Sequence, residues 1–334
     1  MERKLASIQE VKAILPIEGA DAIEIVQIND WKVVAKKGEF NEGELVVYCE
    51  IDSFLPIRDE FEFLRKSSYK KMGDVEGFRL KTIKLRGQVS QGLVLPKTIL
   101  IGLADAIWEG LDVTEALGIL KYEPPIPAEL SGVAKGQFPS FIKKTDEERI
   151  QNLTNEYEEL QNFNYYVTEK LDGSSATFYY KDGEFGVCSR NLELLESEGN
   201  SFWKVARALD LERKMSKIGY NFCLQGELIG EGIQGNPYKI KGQTVKFFNG
   251  FNIDTQQYLE LRSLVNLITK LELEMVPILN LDFYLPETIE EIIMHADGKS
   301  RLNPDFDREG LVIRSHDRRI SFKAISNKFL LKEK

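Results

Sequence analysis

The types of reactive side chain that are abundant in this chain limit the chemistry that it can perform. Among its 334 residues are 53 Asp and Glu and 44 Lys and Arg, but only two histidines and three cysteines. So few histidines and cysteines exclude a zinc ribbon, a disulfide scaffold and most histidine-based metal centres. Any catalysis must therefore be carried mainly by lysine, arginine and carboxylate side chains.

One lysine stands in a short motif that could do such chemistry. Lys170 is followed by Asp172 and Gly173, and the segment joins two stretches of strand-like composition. Taken alone, Lys-x-Asp-Gly fits a β-turn equally well, because Asp and Gly both favour turns. Short motifs also match by chance, so this one needs support from elsewhere in the chain.

That support comes from further segments that follow the lysine in order. They are residues 189–191 with Arg190, 226–228 with Glu227, 247–253 with Phe251, 309–314 with Glu309, and 321–325 with Lys323. With the lysine motif, this series resembles the ordered motifs of the covalent nucleotidyltransferase superfamily, which comprises polynucleotide ligases and mRNA capping enzymes. The order of the motifs over about 155 residues makes the resemblance specific.

The resemblance implies that Lys170 attacks the α-phosphorus of ATP and forms lysyl–AMP. The lysine must be neutral to attack, whereas its ordinary pKa is about 10.4, so nearby cations and burial would have to lower that pKa. Asp172, Glu227 and Glu309 would hold Mg²⁺ (or Mn²⁺), in part through water, because Mg²⁺ prefers oxygen ligands.

The same resemblance implies contacts with the nucleotide. Glu169 would read the adenine amino group, Phe251 would stack on adenine, and Lys323 would hold the α-phosphate. The full set of expected nucleotide-binding residues is Glu169, Asp172, Gly173, Arg190, Glu227, Phe251, Glu309, Lys323 and Lys328. Arg190 would contact the ribose or the RNA end, and Lys328 a phosphate.

The elements that must position these residues alternate between strands and helices. Periodicity and turn residues predict strands at 165–169, 175–180, 185–189, 222–229, 244–253, 310–315 and 320–324. They predict helices at 145–161, 201–217, 258–271 and 288–296, the first from the capping-box spacing of Thr145 and Glu148. Several motif residues would then lie at strand ends.

The first hundred residues read instead as short strands with regular turns. Strands are predicted at 6–15, 23–28, 31–35, 45–49, 78–85 and 92–95, with a hairpin turn at 29–30. This pattern indicates a small barrel such as the OB-fold. Residues 122–127 contain three prolines and should be extended, because each proline disfavours helix in the residue before it.

Charge is distributed unevenly along this region. The whole chain has a formal net charge of −9, but residues 65–100 hold nine basic and two acidic residues, against seven and fourteen in residues 1–64. We call residues 65–100 the basic segment. Such a segment suits a nucleic-acid backbone, and its predicted contacts are Arg65, Lys66, Lys70, Lys71, Arg79, Lys81, Lys84 and Arg86.

Domain order narrows the resemblance. The barrel precedes the lysine domain, and only residues 327–334 follow the last motif, whereas capping enzymes and DNA ligases place an OB domain after it. The chain therefore resembles RNA ligase family five (Deinococcus/Naegleria type). The expected fold is α+β: an N-terminal OB-fold β-barrel at 1–110, a linker at 111–145, and an α/β nucleotidyltransferase (ATP-grasp-like ligase) domain built on antiparallel sheets at 146–334.

The resemblance implies an ATP-dependent RNA ligase, acting as a monomer in RNA repair. It would seal a 3′-OH RNA end to a 5′-phosphate at nicks in duplex RNA or RNA/DNA. Three alternatives stay open: an RNA guanylyltransferase, a DNA ligase, and a nucleic-acid-binding protein with a degenerate transferase domain. The N-terminus is charged and the chain lacks a long apolar stretch, so we expect no signal peptide and no membrane partner. A cytoplasmic or nuclear protein that is not secreted is therefore expected.

Overall fold

The computed structural model describes residues 4–102, 106–123 and 133–332. The chain divides into two compact units, and each is described by itself. The first unit comprises Met1–Pro125, Ile150–Tyr157 and Leu330–Lys334, and the second comprises Ile126–Arg149 and Glu158–Phe329.

Short antiparallel strands make up most of the first unit. They are β1 (Ala6–Pro16), β2 (Ile23–Ile28), β3 (Trp31–Lys36), β4 (Leu45–Cys49), β5 (Ser53–Pro56), β6 (Tyr69–Met72), β7 (Val75–Arg79), β8 (Ile83–Leu85), β9 (Gln88–Ser90), β10 (Leu93–Pro96) and β11 (Leu120–Lys121). Five of them form a sheet in the order β10-β4-β1-β2-β3, and four form a sheet in the order β11-β5-β7-β6. The hairpin predicted between β2 and β3 is confirmed, with Asn29 at a φ of 49° in its turn.

The core of the first unit lies between its two sheets. Ala6, Ile8 and Val47 from the five-stranded sheet pack with Leu55 and Phe78 from the four-stranded sheet. A 3₁₀ helix (Asp59–Leu64) and helix α1 (Arg65–Ser68) precede strand β6. Strands β8 and β9 form a separate two-stranded hairpin.

The second unit contains a larger set of strands and the longer helices. The strands are β12 (Val133–Gln137), β13 (Glu148–Arg149), β14 (Tyr165–Lys170), β15 (Ser174–Lys181), β16 (Glu184–Cys188), β17 (Leu192–Leu195), β18 (Phe222–Gly230), β19 (Gln243–Asn252), β20 (Gln257–Tyr258), β21 (Ile278–Phe283), β22 (Gly310–Ser315) and β23 (Ser321–Ile325). Over the remaining described residues the helices are α2 (Tyr157–Leu160), α3 (Ser201–Ala208), α4 (Leu211–Met215), α5 (Leu261–Lys270), α6 (Ile289–Ala296) and α7 (Asn327–Leu330).

Two sheets organise the second unit. A seven-stranded antiparallel sheet has the order β12-β17-β16-β15-β18-β19-β20, and a five-stranded sheet has the order β13-β23-β22-β14-β21. In the smaller sheet only β13 runs parallel to its neighbour. Both sheets contribute residues to the site described below.

Strand alternation decides which face of the larger sheet carries the core. Ala176 and Phe178 of β15 point to one face, where they pack with Phe202 and Leu264 from the helices. Ser175 and its cross-strand partner Glu227 therefore point to the other face. The helices cover the first face, while the second face carries Glu227 at one end and a separate apolar cluster with Tyr179 and Cys223 further along the strands.

Of two helices predicted in the second unit, one is confirmed and the other is divided. The helix at 288–296 is confirmed, and its capping box is complete, with Thr288 accepting from the backbone of Glu291. The helix predicted over 201–217 is instead two helices, α3 and α4. They are separated at Asp210, whose φ of 55° is left-handed and cannot continue a helix.

The helix predicted over 145–161 is wrong. Glu148 and Arg149 form strand β13 beside Phe322 and Lys323, a 3₁₀ turn (Ile150–Asn152) follows, and only the short α2 is helical. Backbone pairing with β23 overrides the capping-box spacing, since tertiary context outweighs local propensity. The strand predicted over 78–85 is likewise two strands, β7 and β8.

Two expectations concern the residues around the prolines and the absence of a membrane span. The extended conformation expected for residues 124–127 lies outside the described residues. Over the described part of the chain, no helix has the length and apolar character needed to cross a membrane. The ten-residue helix α5 illustrates this, because a span needs about 20 residues.

Candidate active site

Lys170 and Glu309 meet at the paired ends of two strands. Lys170 is the last residue of β14 and lies opposite Gly310, the first residue of β22. Glu309 directly precedes Gly310, so its side chain reaches the lysine, and Nζ donates to Oε1 at 2.6 Å. The Lys170 side chain is 28% exposed and that of Glu309 16%, which leaves the nitrogen within reach of a ligand.

A short connection between two sheets brings Glu227 to the same place. After Lys170 the chain passes through Asp172 and Gly173 into β15 of the larger sheet, where Ser175 pairs with Glu227. A Cβ on Gly173 would lie 2.8 Å from Cγ of Glu227 and 2.5 Å from a backbone oxygen of β18. Only glycine fits this approach, and Tyr238 fixes the connection, because its Oη accepts from the Asp172 amide at 2.6 Å.

Carboxylates dominate the electrostatics of this cluster. Burial lowers the pKa of Lys170, but the charges of Glu309, Glu227 and Asp172 outweigh it and hold that pKa above its ordinary value. Burial, with Glu309 and Asp172 nearby, raises the pKa of Glu227 to about 8 although Lys170 opposes the shift. The direction for Lys170 is opposite to the one that a neutral nucleophile requires, so the site needs added positive charge.

The cluster fits a hydrated divalent cation better than a directly coordinated one. Glu227, Glu309 and Asp172 supply three carboxylates around one lysine, and the pKa of Glu227 is raised mainly by burial, with Glu309 and Asp172 adding to the shift. Nevertheless, within residues 4–102, 106–123 and 133–332, no three His, Cys, Asp or Glu side chains are grouped so that they could hold a metal ion. Mg²⁺ commonly keeps several waters, and contact through water suits this spacing.

A second charged group gathers around Asp146. Its carboxylate accepts from Lys323 Nζ at 3.0 Å and from Arg190 Nη2 at 3.4 Å. Asp146 therefore bridges Lys323 and Arg190, which belong to different motifs and lie 133 positions apart in the chain. The sequence analysis missed Asp146, because it lies in the segment that was predicted to be helical.

The same segment carries two more charged residues that the sequence analysis missed. Arg149 is buried and lies opposite Lys323 in the parallel pairing of β13 and β23. Glu147 accepts from Arg314 Nη2 at 3.2 Å, and Arg314 in turn donates to Thr168 at 2.9 Å. The run Asp-Glu-Glu-Arg at 146–149 was a visible signal, but nothing in it showed which strand would pair with it.

Phe251 is not part of the Lys170 cluster. It is fully buried and packs with Cys188, Cys223 and Tyr179. Phe248, three residues earlier, is half-buried and packs against the cluster that contains Leu171, beside the lysine. Phe248 is the extra residue of a β-bulge between β18 and β19, and such bulges redirect a side chain.

Glu169 and Lys328 each have hydrogen-bond or ion-pair partners other than Lys170. Because strand residues alternate, Glu169 points to the opposite face of the sheet from Lys170. One of its carboxylate oxygens accepts from the Arg301 amide at 2.8 Å; the other is buried without a hydrogen-bond partner in the part of the chain that is described. Burial raises the pKa of Glu169, and exposed Lys328 pairs with Asp297 at 3.3 Å.

The basic segment lies in the first unit, on α1 and two hairpins. Arg65 pairs with Glu62 at 2.6 Å, and Lys71 pairs with Glu76 at 2.7 Å. The guanidinium of Arg79 lies 4.4 Å from the ring centroid of Tyr122. The exposed members of the segment are Arg65, Lys66, Lys70, Lys71, Lys84 and Arg86, while Arg79 and Lys81 are half-buried.

Comparison with protein families agrees with this division of the chain. Residues 163–332, which are 170 of the 334 residues, match the RNA ligase family, and residues 5–97 match an OB-fold domain. No curated protein matches the chain.

Solved structures match over almost the whole chain. Three are Naegleria gruberi RNA ligase: a mutant with AMP and Mn at a TM-score of 0.94, the ligase with PPi at 0.94, and a mutant with ATP and Mn at 0.93. Each is 46% identical and covers 99% of this chain and 99% of its own.

The chain belongs to the RNA ligase family. The resemblance stated from its motifs is confirmed, and so is the expected class of enzyme. The expected fold class is confirmed as well: an OB-fold domain precedes a ligase domain built mostly on antiparallel sheets.

Proposed function

We propose that this RNA ligase consumes ATP to seal a 3′-OH RNA end to a 5′-phosphate at a nick in duplex RNA or RNA/DNA. Lysyl–AMP on Lys170 would be the intermediate, and RNA repair the setting. The observation that carries the proposal is the lysine nitrogen held 2.6 Å from Glu309, in a cluster with an excess of carboxylates. The relatives solved with ATP, AMP and Mn support the choice of nucleotide and metal.

In the first step Nζ of Lys170 attacks the α-phosphorus of ATP. A P–N bond forms, the bond to the bridging oxygen breaks, and pyrophosphate leaves. The proton on Nζ must depart first, and Glu309 Oε1 is placed to receive it. Mg²⁺ or Mn²⁺, held through water by Asp172, Glu227 and Glu309, would supply positive charge that stabilises the transferring phosphoryl group.

Two further transfers complete the proposed reaction. A 5′-phosphate oxygen attacks the phosphorus of lysyl–AMP, the P–N bond breaks, and Lys170 regains its proton. The RNA 3′-OH then attacks the activated 5′-phosphate, and AMP leaves with the electrons of the broken bond. Lys323 and Arg190, joined by Asp146, would hold the phosphates in line during these steps.

The nucleotide contacts follow the geometry where it differs from the motif pattern. Phe248 is proposed as the ring beside adenine, because it is half-buried and packs against the cluster that contains Leu171, whereas Phe251 is fully buried. The unpaired oxygen of Glu169 supports a hydrogen-bond acceptor role there. A phosphate contact by Lys328 is not favoured, because its ammonium already pairs with Asp297.

The first unit is proposed to bind the duplex. The exposed cations of the basic segment suit contacts with phosphates, and A-form duplexes are recognised through backbone and 2′-OH contacts. The domain limits of 1–110 and 146–334, separated by a linker at 111–145, belong to this proposal. So does a monomeric state, which light scattering coupled to gel filtration would test.

The first experiment asks which nucleotide labels the protein. Wild type, Lys170→Ala and Lys217→Ala are incubated with Mg²⁺ and α-labelled ATP or GTP, then separated on a denaturing gel. Lys217 is an exposed lysine after helix α4, so its variant controls for loss of a lysine as such. We expect label from ATP in wild type and Lys217→Ala, and none in Lys170→Ala.

Other outcomes would redirect the proposal. Label from GTP alone would indicate a guanylyltransferase, and label retained in Lys170→Ala would overturn the role of that lysine. Sealing is then measured on nicked duplexes with RNA or DNA at the 3′-OH side. Equal sealing of nicks with RNA and with DNA at the 3′-OH side would indicate a DNA ligase activity. Sealing of single-stranded ends alone would contradict the proposal that the substrate is a nicked duplex.

A further inference from the structure

The β8–β9 hairpin of the first unit presents exposed apolar side chains. Ile83 and Leu85 are 41% and 39% exposed, and Lys84 between them is exposed as well. Successive strand residues alternate in direction, so the two aliphatic side chains share one face, which we call the hairpin ridge. Single exposed aliphatic residues are common; a pair along one face of a fully exposed strand calls for an explanation.

The hairpin that carries the ridge is held in a defined shape. Its two-residue turn has Arg86 at a φ of 48° and Gly87 at a φ of 85°, the signs of a type I′ turn, which suits the twist of a hairpin. Its base is fastened to the five-stranded sheet, because Ser90 Oγ accepts from the Val34 amide at 2.9 Å. A partner would therefore meet a preorganised surface, at little cost in conformational entropy.

Charge around the ridge identifies the kind of partner. The sequence has no Asp or Glu between Glu76 and Asp105, a stretch of 28 residues. The basic residues in that stretch are Arg79, Lys81, Lys84, Arg86 and Lys97. Lys81 precedes the ridge and Arg86 follows it. A segment that is apolar along its centre, cationic at both ends and without a carboxylate of its own is complementary to a polyanion that also exposes carbon.

We infer that the hairpin ridge docks in the minor groove of an A-form RNA duplex beside the nick. Ile83 and Leu85 would lie against ribose, and Lys81 and Arg86 would contact phosphates. The inference rests on the proposed nick sealing. The A-form minor groove is wide and shallow and displays the ribose 2′-OH groups, whereas the A-form major groove is too narrow to enter. The B-form minor groove is only about 6 Å wide, so the ridge would favour RNA over DNA duplex.

The test compares binding of nicked RNA and nicked DNA duplexes of one sequence, measured by fluorescence anisotropy over a range of salt. The variant is Ile83→Thr with Leu85→Thr, since threonine retains strand preference. Ile101→Thr is the matched control, because Ile101 is 82% exposed in the same unit but outside the hairpin.

We expect the double variant to bind the RNA duplex roughly tenfold more weakly than wild type. Its salt dependence should be unchanged, because no charge is lost, and its affinity for the DNA duplex should stay as in wild type. Lys81→Ala and Arg86→Ala should each reduce the slope of log affinity against log salt by about one.

Three outcomes would overturn the inference. They are an equal loss of affinity for RNA and DNA, a loss no greater than in Ile101→Thr, and a change of oligomeric state with RNA affinity intact. Lys170 adenylylation with labelled ATP is recorded for every protein. Absence of label in the wild type would contradict the proposed function, and this result is distinct from a failure of the ridge to bind RNA.

Discussion

The ammonium of Lys170 donates a hydrogen bond to Oε1 of Glu309 at 2.6 Å, although 139 positions separate the two residues in the chain. The contact exists because β14 and β22 end side by side. In this arrangement the lysine is held protonated by its neighbours. Activation of the nucleophile therefore depends on positive charge that arrives with the nucleotide and the metal.

Replacing Glu309 should weaken the response to metal. Glu309→Gln keeps the size of the side chain but removes the charge that attracts a cation, so we expect half-maximal adenylylation at about 10–100-fold higher Mg²⁺. A titration of labelled adenylate against Mg²⁺ measures this, and a chelator should abolish label in wild type. Glu274→Gln, which removes a carboxylate paired with Lys246, should respond like wild type.

Adding a methyl group at Gly173 should disturb the site more than the fold. Its Cβ would lie 2.8 Å from Cγ of Glu227, which must move away from Lys170. We expect Gly173→Ala to lose at least about tenfold in adenylylation rate, a small misplacement in an active site being costly. Gly199→Ala is the control, since a Cβ there meets nothing within 4 Å. Equal adenylylation rates in Gly173→Ala and Gly199→Ala would show that the close approach of Gly173 to Glu227 is not needed for activity.

Variants of Phe248 and Phe251 in β19 should separate the effect on stability from the effect on nucleotide binding. Phe251→Ala leaves a cavity among Tyr179, Cys188 and Cys223, so we expect a loss of about 3–5 kcal/mol in the free energy of unfolding. The folded fraction should still form adenylate with an unchanged KM for ATP. Phe248→Ala should raise that KM with a smaller loss of stability. Denaturant titration and adenylylation kinetics measure both, and the reverse pattern would restore Phe251 as the stacking ring.

Glu147 should make stability depend on acid pH. Burial raises its pKa, but Arg314 and Arg318, with smaller contributions from Ser321 and Lys323, hold that pKa below the ordinary value of 4.5. A carboxyl with a lowered pKa in the folded state contributes stability that is complete above about 4.5 and is lost as pH falls through the folded-state pKa. We expect Glu147→Gln to cost about 1–3 kcal/mol at neutral pH.

The difference between wild type and Glu147→Gln should shrink as pH falls below about 4.5, because protonation removes the same charge. Denaturant unfolding at several pH values measures this difference. Glu196→Gln is the control: its partner Arg207 is 45% exposed, and exposed pairs contribute little. A difference that does not change with pH would show that Arg314 depends on another acid.

The sequence by itself determined the chemical character of this protein. The scarcity of His and Cys left lysine and carboxylates to do the chemistry. The order of the motifs around Lys170, Glu227, Glu309 and Lys323 identified the family before any strand was paired. Residue types and their order are properties of the sequence itself. A series of motifs and a run of short strands typical of a barrel can therefore both be recognised without a structure.

Only the tertiary structure decided which side chains meet. Strand periodicity assigns alternate residues to two faces, but the bulge at Phe248 shifts that alternation. Phe248 packs against the cluster that contains Leu171, whereas Phe251 packs with Cys188 and Cys223. Asp146 joins Lys323 and Arg190 because β13 pairs with β23, against a local pattern that favours helix. Pairing energy between distant segments exceeds local propensity, and no single stretch of sequence contains it.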